Sequence, residues 1–297
     1  MTGAEEMSLA GPLADDVRTR RGSLLLADGH AVAVLRHSPP EPATRTPVLY
    51  VHGIQSHPGW FVGSAQALAR AGHEVFQVTR RGSGLTAARR GDAASGRQLL
   101  GDVDAAVEHV RGETGSADVA LLGVSWGGKL LTAYPLQAAA PAASLTLVAP
   151  GIAPRVDVPG TTKLAIAAAR CLWPRKYFDI PLNDVSLFTD NPPMRDYLAA
   201  DPLRLRRATA RLLVTSALLD RTIARAPPSA IELPVTLILA RRDRIIDNAA
   251  TAEVLRRLTG GRANVVEIDA AHTIEFEPDP AAFHDALRAA VQSSRES

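Results

Sequence analysis

A chain of 297 residues, 46% hydrophobic and 22% charged, has the balance of a globular protein with one substantial core and room for an insertion. Its 33 Lys and Arg stand against 31 Asp and Glu, and a formal net charge of +2 makes no global field that would recruit nucleic acid or an anionic membrane. The one cysteine, Cys171, excludes an internal disulfide and a CxxC zinc site and fits a reducing compartment, with the thiol expected as a buried apolar filler.

Residues 1–18, MTGAEEMSLAGPLADDVR, read as a mobile start, and with Glu5, Glu6, Asp15 and Asp16 they lack the apolar core of a signal peptide. No window reaches the roughly 18 continuous apolar residues of a membrane span, so the expectation is a cytoplasmic protein without stable membrane insertion. SLLLADGHAVAVLRH gives two apolar runs about Asp28-Gly29, a dipeptide suited to a tight hairpin turn. After a Pro-rich connection from Pro39 to Pro47, PVLYVHG is a short, fully apolar run, the pattern of a buried parallel strand. ALARAGHEVFQVTRRGSG reads as helix, glycine stop, strand and loop. GRQLLGDVDAAVEHVRGE then reads as a helix, DVALLGV as a strand, SWGGKLLTAYPLQ as a helix and ASLTLVAP as a strand.

Residues 151–231 break that rhythm with prolines, aromatics (Trp173, Tyr177, Phe178, Phe188, Tyr197) and arginines (Arg204, Arg206, Arg207, Arg211), in helix-like segments without a clear strand. The alternation resumes with PVTLILA, NAATAEVLRRLTG, ANVVEIDAAH and PAAFHDALRAAVQ. The expected fold is α/β, a doubly wound, mostly parallel sheet with helices on both faces, built from 19–150 and 232–297. Residues 151–231 are expected to form an inserted, mainly helical cap over the strand ends, where ligands bind in such sheets.

Within LLGVSWGGKLL, Gly123-Val124-Ser125-Trp126-Gly127 fits G-x-S-x-G with an apolar strand before it and a helix after it. Ser125 would sit on a strained strand-to-helix turn whose small neighbours avoid collision with adjacent chain. Such a turn exposes the hydroxyl and aims the Trp126 N–H at the reaction centre, aided by the positive end of the helix. Taken alone, the same pentapeptide also describes a glycine-rich turn with an incidental N-cap serine.

A serine nucleophile needs a base, and the base an orienting carboxylate. Asp243, in PVTLILARRDRIID, and His272, in ANVVEIDAAHTIEFE, both fall just past apolar strands, on the sheet edge that carries Ser125. Their order, serine then acid then histidine, is the one this fold uses. Asp247 suits the N-cap of the next helix, and Asp269 and Glu275 sit too close to His272 in sequence to reach its ring from behind. In YVHGIQSHPGWF, Gly53 lets the Ile54 N–H serve as second oxyanion donor, His52 suits a structural bond to loop backbone, and His57 a place in the loop or on the pocket rim. His57, Trp60 and Trp173 are the candidate substrate contacts.

These blocks resemble the α/β-hydrolase superfamily, and within it the monoacylglycerol lipase, lysophospholipase and serine aminopeptidase-like group. HGIQSHPGWF is similar to that group's oxyanion loop, RRGSG to its strand-four loop, GVSWGG to its nucleophile elbow, RRDRIID to its acid turn and AAHTIEFE to its histidine loop, over about residues 48–277. The resemblance implies Ser125 as nucleophile, Asp243 as acid, His272 as base, and Ile54 and Trp126 as oxyanion donors. Thr79 departs from it, standing where the group often has an acidic residue that ties the RRGSG-like loop, and the bulk of Trp126 is expected to narrow the acyl pocket.

The expected function is hydrolysis of the carboxylic ester of a small hydrophobic or lipid-like molecule through an acyl-enzyme, with no metal or organic cofactor. A biosynthetic acyltransferase, thioesterase or cyclase would use the same residues, and a non-catalytic ligand-binding protein could keep the same fold. The apolar segment TTKLAIAAARCLW could line an acyl pocket, and the arginines of the insertion read first as a solvated helix and second as a site for an anionic head group. Nothing in the sequence indicates an oligomeric state.

Overall fold

The computed structural model describes residues 8–86, 89–136 and 142–292. Its strands are β1 (Arg18–Leu25), β2 (Ala31–Ser38), β3 (Val48–Val51), β4 (Val75–Val78), β5 (Ala120–Val124), β6 (Ser144–Val148), β7 (Tyr177–Asp179), β8 (Arg207–Thr209), β9 (Val235–Ala240) and β10 (Asn264–Ile268). Its helices are α1 (Val62–Arg70), α2 (Gly96–Thr114), α3 (Trp126–Ala133), α4 (Gly160–Leu172), α5 (Pro192–Ala200), α6 (Ala210–Arg225), α7 (Asn248–Thr259) and α8 (Ala281–Gln292). The expected last residue of the third helix, Gln137, lies outside the described residues, as does the start of the chain through residue 7.

Eight strands form one sheet in the order β1-β2-β4-β3-β5-β6-β9-β10. β1 and β2 form the antiparallel hairpin, turned through Asp28-Gly29 with Gly29 at φ 77°, and β2 pairs antiparallel with β4. From β4 to β10 every pairing is parallel, which sets the C-terminal ends of β3, β5, β9 and β10 on one edge. The short apolar runs of β3, β4, β5, β6 and β9 are buried along their whole length, as strands covered on both faces must be. β10, at the sheet margin, leaves Val265 half exposed.

Local chemistry sets the helix ends. Ser95 caps α2 by accepting from the Gln98 N–H at 3.2 Å, and Gly115, in the left-handed region, stops it. Asp247 caps α7 through the Ala250 N–H at 3.0 Å, as its place before NAATAEVL implied.

Between β6 and β9 the chain leaves the sheet for α4, α5, α6 and the small antiparallel pair β7-β8, a ladder of three residues a side that periodicity cannot reveal. Of the arginines there, only some are solvated. Arg204 is 3% exposed, and Arg211 is paired with Asp92. Cys171 is exposed rather than buried, because α4 turns Ile166 and Ala169 inward and Cys171 falls on the opposite side.

From Ser8 onward the start of the chain is held, unlike the mobile segment expected through residue 18. The Ala10 N–H donates to Gly59 O at 2.9 Å, the Ala14 N–H donates to Gln66 Oε1 at 3.3 Å, and Val17 is buried. Gly59 is required there, since a Cβ would run into the Ser8 carbonyl. Among the described residues no helix is long and apolar enough to cross a membrane.

Candidate active site

Ser125 closes β5 and opens α3 with φ 52° and ψ −120°, a conformation that costs a non-glycine residue free energy and that surrounding chain must enforce. The close approach this turn needs is open only to glycine neighbours. A Cβ on Gly123 would lie 2.9 Å from the Gly127 carbonyl, one on Gly127 would strike the Val51 and His52 carbonyls, and one on Gly128 would lie 2.8 Å from Pro150. The turn is also tied down by hydrogen bonds, from the Ser125 N–H to Val148 O at 2.9 Å and from the Gly151 N–H to Ser125 O at 2.7 Å.

His272 Nε2 lies 3.0 Å from Ser125 Oγ, and its Nδ1 lies 2.8 Å from Asp243 Oδ2. Asp243 Oδ1 accepts from the Ile245 and Ile246 N–H groups at 2.7 and 2.9 Å, so the acid turn itself fixes the carboxylate. Burial works to raise the Asp243 pKa, but the neighbouring His272 and those backbone donors outweigh it and hold the carboxyl below its ordinary value. Ser125, Asp243 and His272 are thus brought into one hydrogen-bonded line by three strand ends. The rival acids are engaged elsewhere. Asp247 caps α7, Asp269 meets Arg242 at 2.9 Å and Glu275 accepts from the Ser64 N–H at 2.9 Å.

The loop after β3 lies beside the serine, since a Cβ on Gly53 would be 3.2 Å from Ser125 Cβ and 3.5 Å from its Oγ. His52 is structural, as its loop position suggested. Its Nε2 accepts from the Arg80 N–H at 3.0 Å, which leaves Nδ1 to donate to Gly53 O at 2.9 Å. Burial, then the adjacent Arg80 cation, hold its pKa well below 6.5 and keep the ring neutral. Trp126 is buried, and its indole Nε1 donates to Ser216 Oγ of α6 at 2.8 Å. Lys129, one turn further along α3, pairs with Asp220 of α6 at 2.7 Å.

His57 and Trp60, expected at the substrate, are instead buried and committed to Asp201. His57 Nδ1 accepts from the Gly59 N–H at 3.1 Å, so Nε2 donates to Asp201 Oδ2 at 3.0 Å. Trp60 Nε1 donates to the same oxygen at 2.8 Å. Burial raises the Asp201 pKa, but the bonds from His57 and Trp60 and the Leu203 N–H hold it below the usual value. Arg204 completes this seam, donating to Gln55 Oε1 at 2.9 Å and to Leu182 O at 2.7 Å. Trp173, by contrast, is 66% exposed at the end of α4.

Sequence reasoning missed Asp201, Arg204 and Arg80, because nothing local distinguishes a buried arginine or aspartate from a solvated one. The loop that lacks an acid at Thr79 is held by arginines. Arg81 donates to Asp102 and Asp28, each at 2.8 Å, and Arg80 grips the neighbouring strand end. Among the described residues no cluster of His, Cys, Asp or Glu could hold a metal ion.

The family model described as serine aminopeptidase, S33, matches residues 42–279. No curated protein sequence matches the chain. Among solved structures, a soluble variant of monoglyceride lipase from Saccharomyces cerevisiae is similar with a TM-score of 0.80 at 17% identity, covering 100% of both chains. A monoacylglycerol lipase from Paleococcus ferrophilus gives 0.74 at 20% identity over 93% of this chain and 99% of its own. A thermostable carboxyl esterase from Bacillus coagulans gives 0.75 at 15% identity over 92% and 99%. At such identities the structural likeness shows the fold.

Proposed function

Because the chain belongs to the serine aminopeptidase S33 family of α/β-hydrolases, we propose that it is a serine hydrolase that cleaves the carboxylic ester of a small hydrophobic or lipid-like molecule. The observation that carries this reading is the line Ser125–His272–Asp243 on a strained serine, an arrangement that costs stability and has no use in a merely structural turn.

In this reading His272 Nε2 takes the Ser125 proton as Oγ attacks the carbonyl carbon. The N–H groups of Ile54 and Trp126 receive the oxyanion, and neither is donated to another group among the described residues. Collapse of the tetrahedral adduct breaks the ester C–O bond, and His272 returns the proton to the leaving alcohol. Water, deprotonated by His272, then attacks the acyl-enzyme and frees Ser125 and the acid. Asp243 keeps the ring oriented and stabilises its transient positive charge.

Residues 151–231 act as the cap. Its Phe188 ring stands edge-on to His272, with centroids 6.0 Å apart. A hydrophobic acyl group is supported by α4, which leaves Leu164 and Leu172 73% and 65% exposed and ends at the exposed Trp173. Two of the similar structures, a monoacylglycerol lipase and a monoglyceride lipase, point the same way.

The test pairs wild type with Ser125→Ala, each offered a fluorophosphonate probe and a series of acyl esters of rising chain length. Wild type should label and turn over, and the variant should do neither, with kcat lower by on the order of 10⁴ to 10⁶. A wild type that leaves every ester and the probe untouched would remove the hydrolase reading.

A further inference from the structure

Arg80 is a buried cation beside the Ser125 loop. It is 5% exposed, and no carboxylate contacts it among the described residues. Its partners are backbone carbonyls at the end of β3 and an aromatic face. Nε donates to His52 O at 3.1 Å, and Nη2 donates to Gly53 O at 2.7 Å and Ile54 O at 3.1 Å. The guanidinium carbon also lies 4.6 Å from the Trp126 ring centroid. Burying an uncompensated cation is costly, and replacing it with an apolar side chain of similar size would ordinarily be favourable.

We propose that Arg80 is the positioning residue of the oxyanion hole, one cation that fixes both of its backbone donors and lends them positive potential. This rests on the hydrolase reading above and deepens it. The first donor is set by peptide geometry. Gly53 O is held by both Arg80 Nη2 and His52 Nδ1, and in a planar trans peptide the Ile54 N–H must point the opposite way, from a loop whose Gly53 lies against Ser125. Without those two donors the Gly53–Ile54 peptide could rotate and present its carbonyl to the oxyanion. The second donor is the N–H of Trp126, whose indole is clamped between the Arg80 guanidinium and Ser216 of α6. A fixed positive charge behind both donors, shielded from water, stabilises negative charge that exists only in the tetrahedral adduct. Burial brings the Arg80 pKa down to about 9, which leaves the side chain charged at neutral pH.

A purely structural strut would affect folding and ground-state binding alike, whereas an oxyanion-positioning cation acts on the tetrahedral state. The experiment therefore compares wild type, Arg80→Lys and Arg80→Met by kcat and KM on one ester. It also measures affinity for a trifluoromethyl ketone, which forms a tetrahedral adduct on serine, and for an uncleavable ether analogue of the substrate. Arg80→Met should lose about 100-fold in kcat with KM within about threefold, and ketone affinity should fall in parallel while ether affinity holds. Arg80→Lys, which keeps the charge but not the fork, should lie between them. If Arg80→Met does not fold, Arg80→Lys decides alone. A ketone-specific loss supports the proposal, and equal losses of ketone and ether affinity, or no loss in either, overturn it. Wild-type activity with an unimpaired Arg80→Met would sink this inference and spare the hydrolase reading. An inert wild type would remove both.

Discussion

At the scale of single residues, the site is built from groups held in conformations or environments they would not choose. Ser125 adopts φ 52° in a turn that three glycines let pass close to neighbouring backbone, and Asp243 stays ionised in a buried place because two backbone N–H groups and His272 face it. The proposed division of labour makes Asp243→Asn informative. The amide retains an oxygen for the Ile245 and Ile246 N–H groups, so the fold should persist. Its nitrogen would donate to His272 and favour the wrong tautomer, and kcat should fall by about 10⁴ while the melting temperature moves little. Equal activity of the variant and wild type would show that His272 takes its orientation elsewhere. The roles proposed for Ser125, Asp243 and His272 were readable as residue type and order at strand ends. That of Arg80 was not, because RRGSG contains two arginines with opposite fates. Arg81 meets two carboxylates, and Arg80 meets carbonyls and a ring.

At the scale of elements, three of the seams that fasten the insertion to the core end beside the proposed site. Asp201 and Arg204 join it to the loop after β3, α6 is joined to α3 through Asp220 and Ser216, and Asp190 receives Arg242 and Arg244 from either side of Asp243. Each of these three seams ends on a segment that carries a proposed catalytic group, so displacement of the insertion would be felt at the site. α4 is different. It buries only Ile166 and Ala169 and turns an apolar face outward. Leu172→Ser and Trp173→Ser should therefore change unfolding free energy by no more than about 0.5 kcal/mol, since little packing is lost. If this face meets the acyl chain, the same variants should lower kcat/KM for long-chain esters and spare short ones. A uniform effect across chain lengths would place the acyl chain elsewhere.

At the scale of the whole molecule, burial makes the buried carboxylates the acid-sensitive part of the structure. Asp201, hydrogen-bonded by His57 and Trp60, has a pKa below its unfolded value, so its contribution is fully present above about pH 3.9 and is lost as pH falls through the depressed folded pKa. Asp201→Ala would leave two buried donors without an acceptor, and should cost about 3 kcal/mol in denaturant unfolding at pH 7. That gap between wild type and variant should shrink steadily below about pH 4, and a gap independent of pH would show that the aspartate acts by shape rather than by charge. By itself the sequence determined the alternation of strands and helices, the G-x-S-x-G turn and the order of serine, acid and histidine. These are written in local patterns, in hydrophobic period, in glycine spacing and in residues placed at strand ends. Only the tertiary structure decided which polar residues are buried and with whom. His57 and Trp60 turned from the expected substrate to Asp201, Cys171 came to the surface, and Arg80 was taken into the loop beside Ser125. The physical reason is that burial and pairing depend on residues distant in the chain, here 144 positions apart for His57 and Asp201, and no local pattern encodes such a meeting.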